Sequence, residues 1–267
     1  MTNKIILFIT IFIFPIMSLS QDFEVSPVII NFDAEPGETQ TKSINVINHA
    51  DQKSVFNIML GDFIVNKEGK VIDMPSGSSE HSLANWISIN PPLVELEPNE
   101  SKQVIVSLQA PTGDYSTRWA NIYIRSTKEQ TALTADKKLQ TGLILQGQIV
   151  VRIYQSPKSN VNYRMKITGI KEITTGQDTA RRFKAIMDNL GDKITDCKVI
   201  LLASNLVTAE ETVLQKLNFK MFPGQQREIE LQMPKDALPP GKYALAAILD
   251  YGKQSNLEGT QMIITVD

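Results

Sequence analysis

The side chains able to do chemistry in this chain are few, and their spacing argues against most chemistries. The two histidines, His49 and His81, show no metal-ligand spacing between them. Asn48-His49-Ala50-Asp51 reads as a polar turn between strands, and Ser78-Ser79-Glu80-His81-Ser82 as a loop. No Gly-x-Ser-x-Gly elbow presents a nucleophilic serine, and no glycine-rich loop is built for phosphate. Cys197 lies in Asp-Cys-Lys-Val-Ile-Leu-Leu, an apolar run that makes it a buried core thiol rather than a nucleophile. As the single cysteine, it excludes an intrachain disulfide. Asp250-Tyr251-Gly252 closes a strand with a turn, and Trp86 and Trp119 read as core aromatics. The expectation is a non-enzyme with no catalytic residue, no metal ligand and no small-molecule cofactor.

What remains is the chemistry of a strand. Leu143 to Tyr154 is the longest strand-like run after the N-terminal segment. Side chains alternate across a strand, so Leu143, Leu145, Gly147, Ile149, Val151 and Ile153 share one nearly continuous apolar face. Ile144, Gln146, Gln148, Val150, Arg152 and Tyr154 form the other, mixed face, which ends in a cation and an aromatic. One reading makes this the last core strand of a β domain. The other puts it at a sheet edge, where it offers backbone and apolar side chains to another chain. The polar loop before it, Ser126 to Thr141, has no apolar periodicity and reads as mobile.

The elements that must position this strand follow from the rest of the chain. Its 267 residues suit one large domain or two ordinary ones, and 42% apolar with 21% charged residues is a globular composition. A formal charge of −2 leaves no basic footprint for nucleic acid. Residues 1–20 read as a signal peptide: Lys4 is the only charge, and an apolar run of about 13 residues follows, too short to span a bilayer. Cleavage is expected between Ser20 and Gln21, giving an exported, periplasmic protein of charge −3 with no transmembrane segment after cleavage. Beyond it, short runs rich in Val, Ile, Phe and Thr alternate with Pro, Gly, Asn and Asp, and no helical stripe appears. The fold class is therefore all-β, as antiparallel sandwiches.

An internal echo sets the domain count. Leu96-Glu97-Pro98-Asn99-Glu100 leads into Lys102, Val104, Val106 and Leu108, then Pro111, Gly113 and Tyr115. Met221-Phe222-Pro223-Gly224 leads into Arg227, Ile229, Leu231 and Met233, then Pro234, Gly241 and Tyr243. Ile44-x-Val46-x-Asn48 is echoed by Ala185-x-Met187-x-Asn189. Two Ig-like domains are expected, at 21–155 and 158–267, with Tyr115 and Tyr243 as candidate tyrosine corners. The joint is short and contains Pro157, so a fixed angle with a cleft is expected.

In this order the motifs resemble those of the PapD-like periplasmic chaperones. Val25-Ser26-Pro27 through Phe32 is similar to their first strand, and Pro36-Gly37-Glu38 with Ile44-x-Val46-x-Asn48 to the turn and strand after it. Asn90-Pro91-Pro92 with Leu96-Glu97-Pro98, Arg118 to Arg125, and Ile149-Val-Val-Arg-Ile-Tyr before Pro157 continue the match. The resemblance implies a polypeptide client, exported or of the cell envelope, bound by strand addition at Leu143, Leu145, Ile149, Val151 and Ile153. It also implies a carboxylate anchor at Arg152. The family's second basic residue, on the first strand, has no counterpart: Val25 to Phe32 contains neither Arg nor Lys. The other reading is a structural or adaptor component of an envelope secretion, motility or adhesion assembly.

Overall fold

A computed structural model describes residues 22–127, 147–252 and 257–267. The expected signal peptide and its cleavage point lie outside the described residues, as do Leu143, Leu145 and the polar loop from Lys128 on. The chain is all-β: two Ig-like sandwiches follow one another, and the only described helix is a single 3-10 turn at Ala84–Trp86.

The first sandwich contains β1 (Phe23–Ser26), β2 (Ile29–Phe32), β3 (Thr39–Asn48), β4 (Ser54–Val65), β5 (Val71–Met74), β6 (Ile87–Asn90), β7 (Leu93–Leu96), β8 (Ser101–Gln109), β9 (Arg118–Thr127) and β10 (Gln148–Gln155). One sheet runs β1-β3-β8-β6; the other runs β2-β10-β9-β4-β5, with β7 on β4. The first-strand motif is thus two strands in two sheets, and the chain changes sheet at Val25-Ser26-Pro27-Val28. All named strand pairs are antiparallel except β2 with β10.

The second sandwich contains β11 (Met165–Glu172), β12 (Ala180–Asn189), β13 (Thr195–Asn205), β14 (Glu211–Met221), β15 (Gln226–Pro234), β16 (Gly241–Asp250) and β17 (Glu258–Val266). Its sheets run β11-β12-β15 and β14-β13-β16-β17. Each sandwich has its own core, filled by the alternate residues of its strands: Val104, Val106 and Leu108 in the first, Ile229, Leu231 and Met233 in the second. Cys197 is part of the second core, and burial pushes its thiol up to about 12.

The sequence echo has an atomic basis. Asn48 and Asn189 are both buried and do the same work. Asn48 Nδ2 donates to Gln52 O and Leu96 O, while its Oδ1 accepts from Ala50 N–H. Asn189 Nδ2 donates to Lys193 O and Met221 O, while its Oδ1 accepts from Gly191 N–H. Asn99 and Gly224 both take positive φ in the facing turns, and their N–H groups donate to Asn48 O and Asn189 O. A short amide is needed at each site because one side chain must satisfy the backbone of two loops.

The tyrosine echo holds in one domain only. Tyr243 Oη donates to Pro239 O at 2.9 Å and closes a tyrosine corner. Tyr115 is 57% exposed and lies before β9 begins, so it ties no corner. It stands instead at the joint, where its carbonyl accepts from Asn160 Nδ2.

Candidate functional site

The site is built on β10, and its two edges differ along its length. β9 pairs with all of it, from Gln148 opposite Arg125 to Gln155 opposite Arg118. On the other side β2 covers only Arg152 to Gln155. Among the described residues nothing pairs with that side of Gln148 to Val151. Arg152 N–H donates to Val28 O, so even-numbered residues turn their backbone groups away from β9. The unpaired groups are therefore the N–H and C=O of Gln148 and Val150, next to the exposed Val28 and Ile29.

The apolar face of β10 is not where an exposed binding strand needs it. Val151 and Ile153 are each 0% exposed and pack in the first domain's own core. In the free protein the facing sheet covers both, which agrees with the reading of this run as a core strand of the domain. Ile149 packs half-buried at the rim of the same core. Gly147 faces the same way, where a Cβ would press on the Phe23 ring.

The mixed face of β10 points toward the second domain. There Tyr154, Phe63 and Trp119 surround Phe222, which comes from the turn between β14 and β15. The ring centroids of Phe222 lie 5.0 Å from Trp119 and 5.7 Å from Phe63. Trp119 Nε1 donates to Phe63 O at 2.9 Å. Trp119, read as a core aromatic, is thus part of the junction. Trp86 packs half-buried at the first core, with the Arg118 guanidinium 4.6 Å above its ring.

The β4–β5 turn completes the junction. Lys67 O accepts from Glu228 N–H, and Gln225 Nε2 donates to Asn66 O. Gly69, at φ +80°, leaves room for the Arg227 guanidinium, which a Cβ there would overlap. Burial pulls Arg227 below its ordinary value, and its planar group stacks on Phe219. Lys193 Nζ donates to Ser156 Oγ and Pro157 O and ties the linker to the second domain. The two sandwiches are therefore locked by apolar packing and by hydrogen bonds at separate points.

Phe222→Ala removes the ring at the centre of this packing, a change that costs about 3–5 kcal/mol when the site cannot collapse. The expected result is that a single thermal transition splits into two, with the tryptophan signal following only the first domain. A single, merely shifted transition in calorimetry excludes Phe222 as the coupling residue.

Beside this junction lies a cleft of about 400 Å³ lined by Ile29, Asn31, Tyr154, Ser156, Lys193 and Lys220, among others. Arg152 stands next to it, opposite Ile29 in the β2–β10 register. Its guanidinium lies 5.7 Å from the centroid of Phe63, and it forms no ion pair among the described residues. No first-strand cation accompanies it. The cleft's lysines come from the second domain, and Lys220 is paired with Asp196 at 2.6 Å. No local sequence signal marks Lys193 or Lys220 as cleft residues, since their place depends on how the domains meet. Among the described residues no group of three His, Cys, Asp or Glu is arranged for a metal, and no helix is long and apolar enough to cross a membrane.

No family model and no curated protein matches the chain. Solved structures do. A chain from the chaperone–tip adhesin complex of CFA/I fimbriae biogenesis aligns with a TM-score of 0.50 at 10% identity, over 91% of this chain and 98% of that one. The class 5 fimbriae chaperone CfaA aligns at 0.47 and 12% identity, over 90% and 98%. The Salmonella enterica SafA pilin–SafB chaperone complex contributes a chain at 0.44 and 13%, over 90% and 96%. At such identities the first likeness is one of architecture, and the fold it shows is two Ig-like sandwiches in series.

Proposed function

We propose that this protein is an exported, periplasmic chaperone-like protein that captures a client polypeptide by adding the client's strand to β10. The observation that carries the reading is the half-open edge: among the described residues, the outward backbone groups of Gln148 and Val150 have no strand partner beyond the end of β2. Main-chain hydrogen bonds at such an edge supply affinity that tolerates sequence, and side chains beside them supply selection. Ile149 at the core rim and Leu143 and Leu145 upstream are the apolar residues offered to the client. Arg152, at the junction of open edge and cleft, takes the client's terminal carboxylate as a charge-assisted pair. The structure whose architecture this chain shares is of a chaperone with a tip adhesin, which agrees with a polypeptide client.

The test is amide hydrogen exchange with and without a periplasmic client recovered by pull-down. Gln148 and Val150 are expected to exchange fast in the free protein and to gain at least about tenfold protection in the complex, because only there do their N–H groups find acceptors. Ile149 and Val151, whose N–H groups face β9, are expected to be protected in both states. Protection appearing elsewhere while Gln148 and Val150 stay fast rules out strand addition at this edge.

A further inference from the structure

Arg152 sits directly opposite Asn121 on β9. Because Arg152 N–H bonds to Val28 O, on the side away from β9, the two form a non-hydrogen-bonded cross-strand pair, the type that brings side chains closest. Two rungs along the same face, Gln148 and Arg125 form another pair of this type. There the chemistry is completed: Arg125 Nε donates to Gln148 Oε1 at 2.6 Å. The Arg152–Asn121 rung has the same partners, an arginine and an amide, with the strands exchanged. Here the bond is not made. Asn121 is 2% exposed, and its Oδ1 is buried with no hydrogen-bond partner among the described residues. Arg152 lies instead toward the ring of Phe63.

The asparagine is not free to turn its oxygen elsewhere. Its Nδ2 donates to Asp73 Oδ1 and to Tyr123 Oη, and Tyr123 Oη donates to the same Asp73 oxygen at 2.8 Å. Tyr123 reaches that position because Gly61 lies beside its ring, where any Cβ would collide with it. With Nδ2 committed to Asp73 and Tyr123, Oδ1 is the end left over. A buried acceptor without a donor is costly, and the guanidinium on the same rung has donors to spare.

We infer that Asn121 is a positioning residue for Arg152: in the client complex the guanidinium leaves Phe63, donates to Asn121 Oδ1, and holds its remaining N–H groups toward the client's terminal carboxylate. The inference rests on the proposed carboxylate anchor and adds what orients it. A guanidinium fixed by one neutral acceptor keeps its full charge for the ligand, which a carboxylate at position 121 would cancel.

The experiment uses one synthetic peptide of alternating apolar residues, made as free acid and as C-terminal amide, and measures both dissociation constants by calorimetry. The wild-type protein is expected to favour the acid about tenfold, a difference of one charge-assisted contact. Arg152→Ala is expected to bring the ratio to about one. Asn121→Leu is expected to reduce it below about threefold while binding the amide as well as wild type does. Tyr123→Phe, which keeps shape and loses only the hydroxyl that steadies Asn121, is expected to fall between. It also decides the matter if Asn121→Leu does not fold.

An Arg152→Ala protein that keeps the tenfold ratio overturns the carboxylate anchor and this inference with it. A ratio lost in Arg152→Ala but intact in Asn121→Leu or Tyr123→Phe overturns the inference alone. Equal weakening of both peptides by Asn121→Leu marks a structural role only and also overturns it. Failure of both peptides to bind wild-type protein sinks strand addition and the inference together.

Discussion

Val150→Pro is expected to lose client capture while keeping the fold. The N–H it removes faces away from β9 and, among the described residues, has no partner, so no ladder bond of the free protein is lost. Bound to a client, that N–H supplies a hydrogen bond worth about 0.5–1.5 kcal/mol, and the ring keeps the incoming strand from its normal spacing of about 4.8 Å. Together these predict at least about 30-fold weaker binding, near 2 kcal/mol. The melting temperature should move by only a few degrees. Val151→Pro supplies the contrast: its N–H faces Ile122 on β9 and its side chain is fully buried, so the first domain should fail to fold. Undiminished capture of a periplasmic client by folded Val150→Pro protein would falsify the edge.

Ile153→Asp is expected to unfold the first domain outright. Ile153 is fully buried in the first core, in a cluster of apolar side chains. The substitution removes about 2–5 kcal/mol of packing and adds the penalty of an unpaired buried polar group, against a total stability of about 5–15 kcal/mol. Both tryptophans, Trp86 and Trp119, lie in this domain, so near-ultraviolet circular dichroism reports it directly. Ile153→Val should cost only about 0.5–1.5 kcal/mol. A folded Ile153→Asp protein that has lost its client returns Ile153 to the binding face; loss of fold keeps it in the core.

Ile153 separates what a strand's own residues determine from what its surroundings decide. Alternation placed Gly147, Ile149, Val151 and Ile153 on one face correctly, because the strand's period of two is a local property. Whether that face met the protein's own core or another chain was not local. It depended on the opposing β1-β3-β8-β6 sheet, which covers Val151 and Ile153. In the same way the motif from Val25 to Phe32 read as one strand, and only its pairing divided it between two sheets. That division is what closes half of the β10 edge and leaves the other half open.

The amino-acid order alone determined the all-β character, the turns and the repeated asparagine and turn that build each sandwich, because these rest on spacing within a few residues. It also placed Arg152 on the mixed face of β10, beside Tyr154. Tertiary structure decided the rest. Tyr115 and Tyr243 occupy matching places in the echo, yet only Tyr243 finds a carbonyl in reach. Phe63, Trp119, Tyr154 and Phe222 stand far apart along the chain and become one cluster only where two domains meet. Asn121 carries no signal of its own; among the described residues its oxygen is left without a donor because Asp73 and Tyr123, the latter given room by Gly61, hold the other end of its amide. A strand's sequence specifies which side chains share a face, while burial, pairing and charge partners come from segments that folding brings beside it.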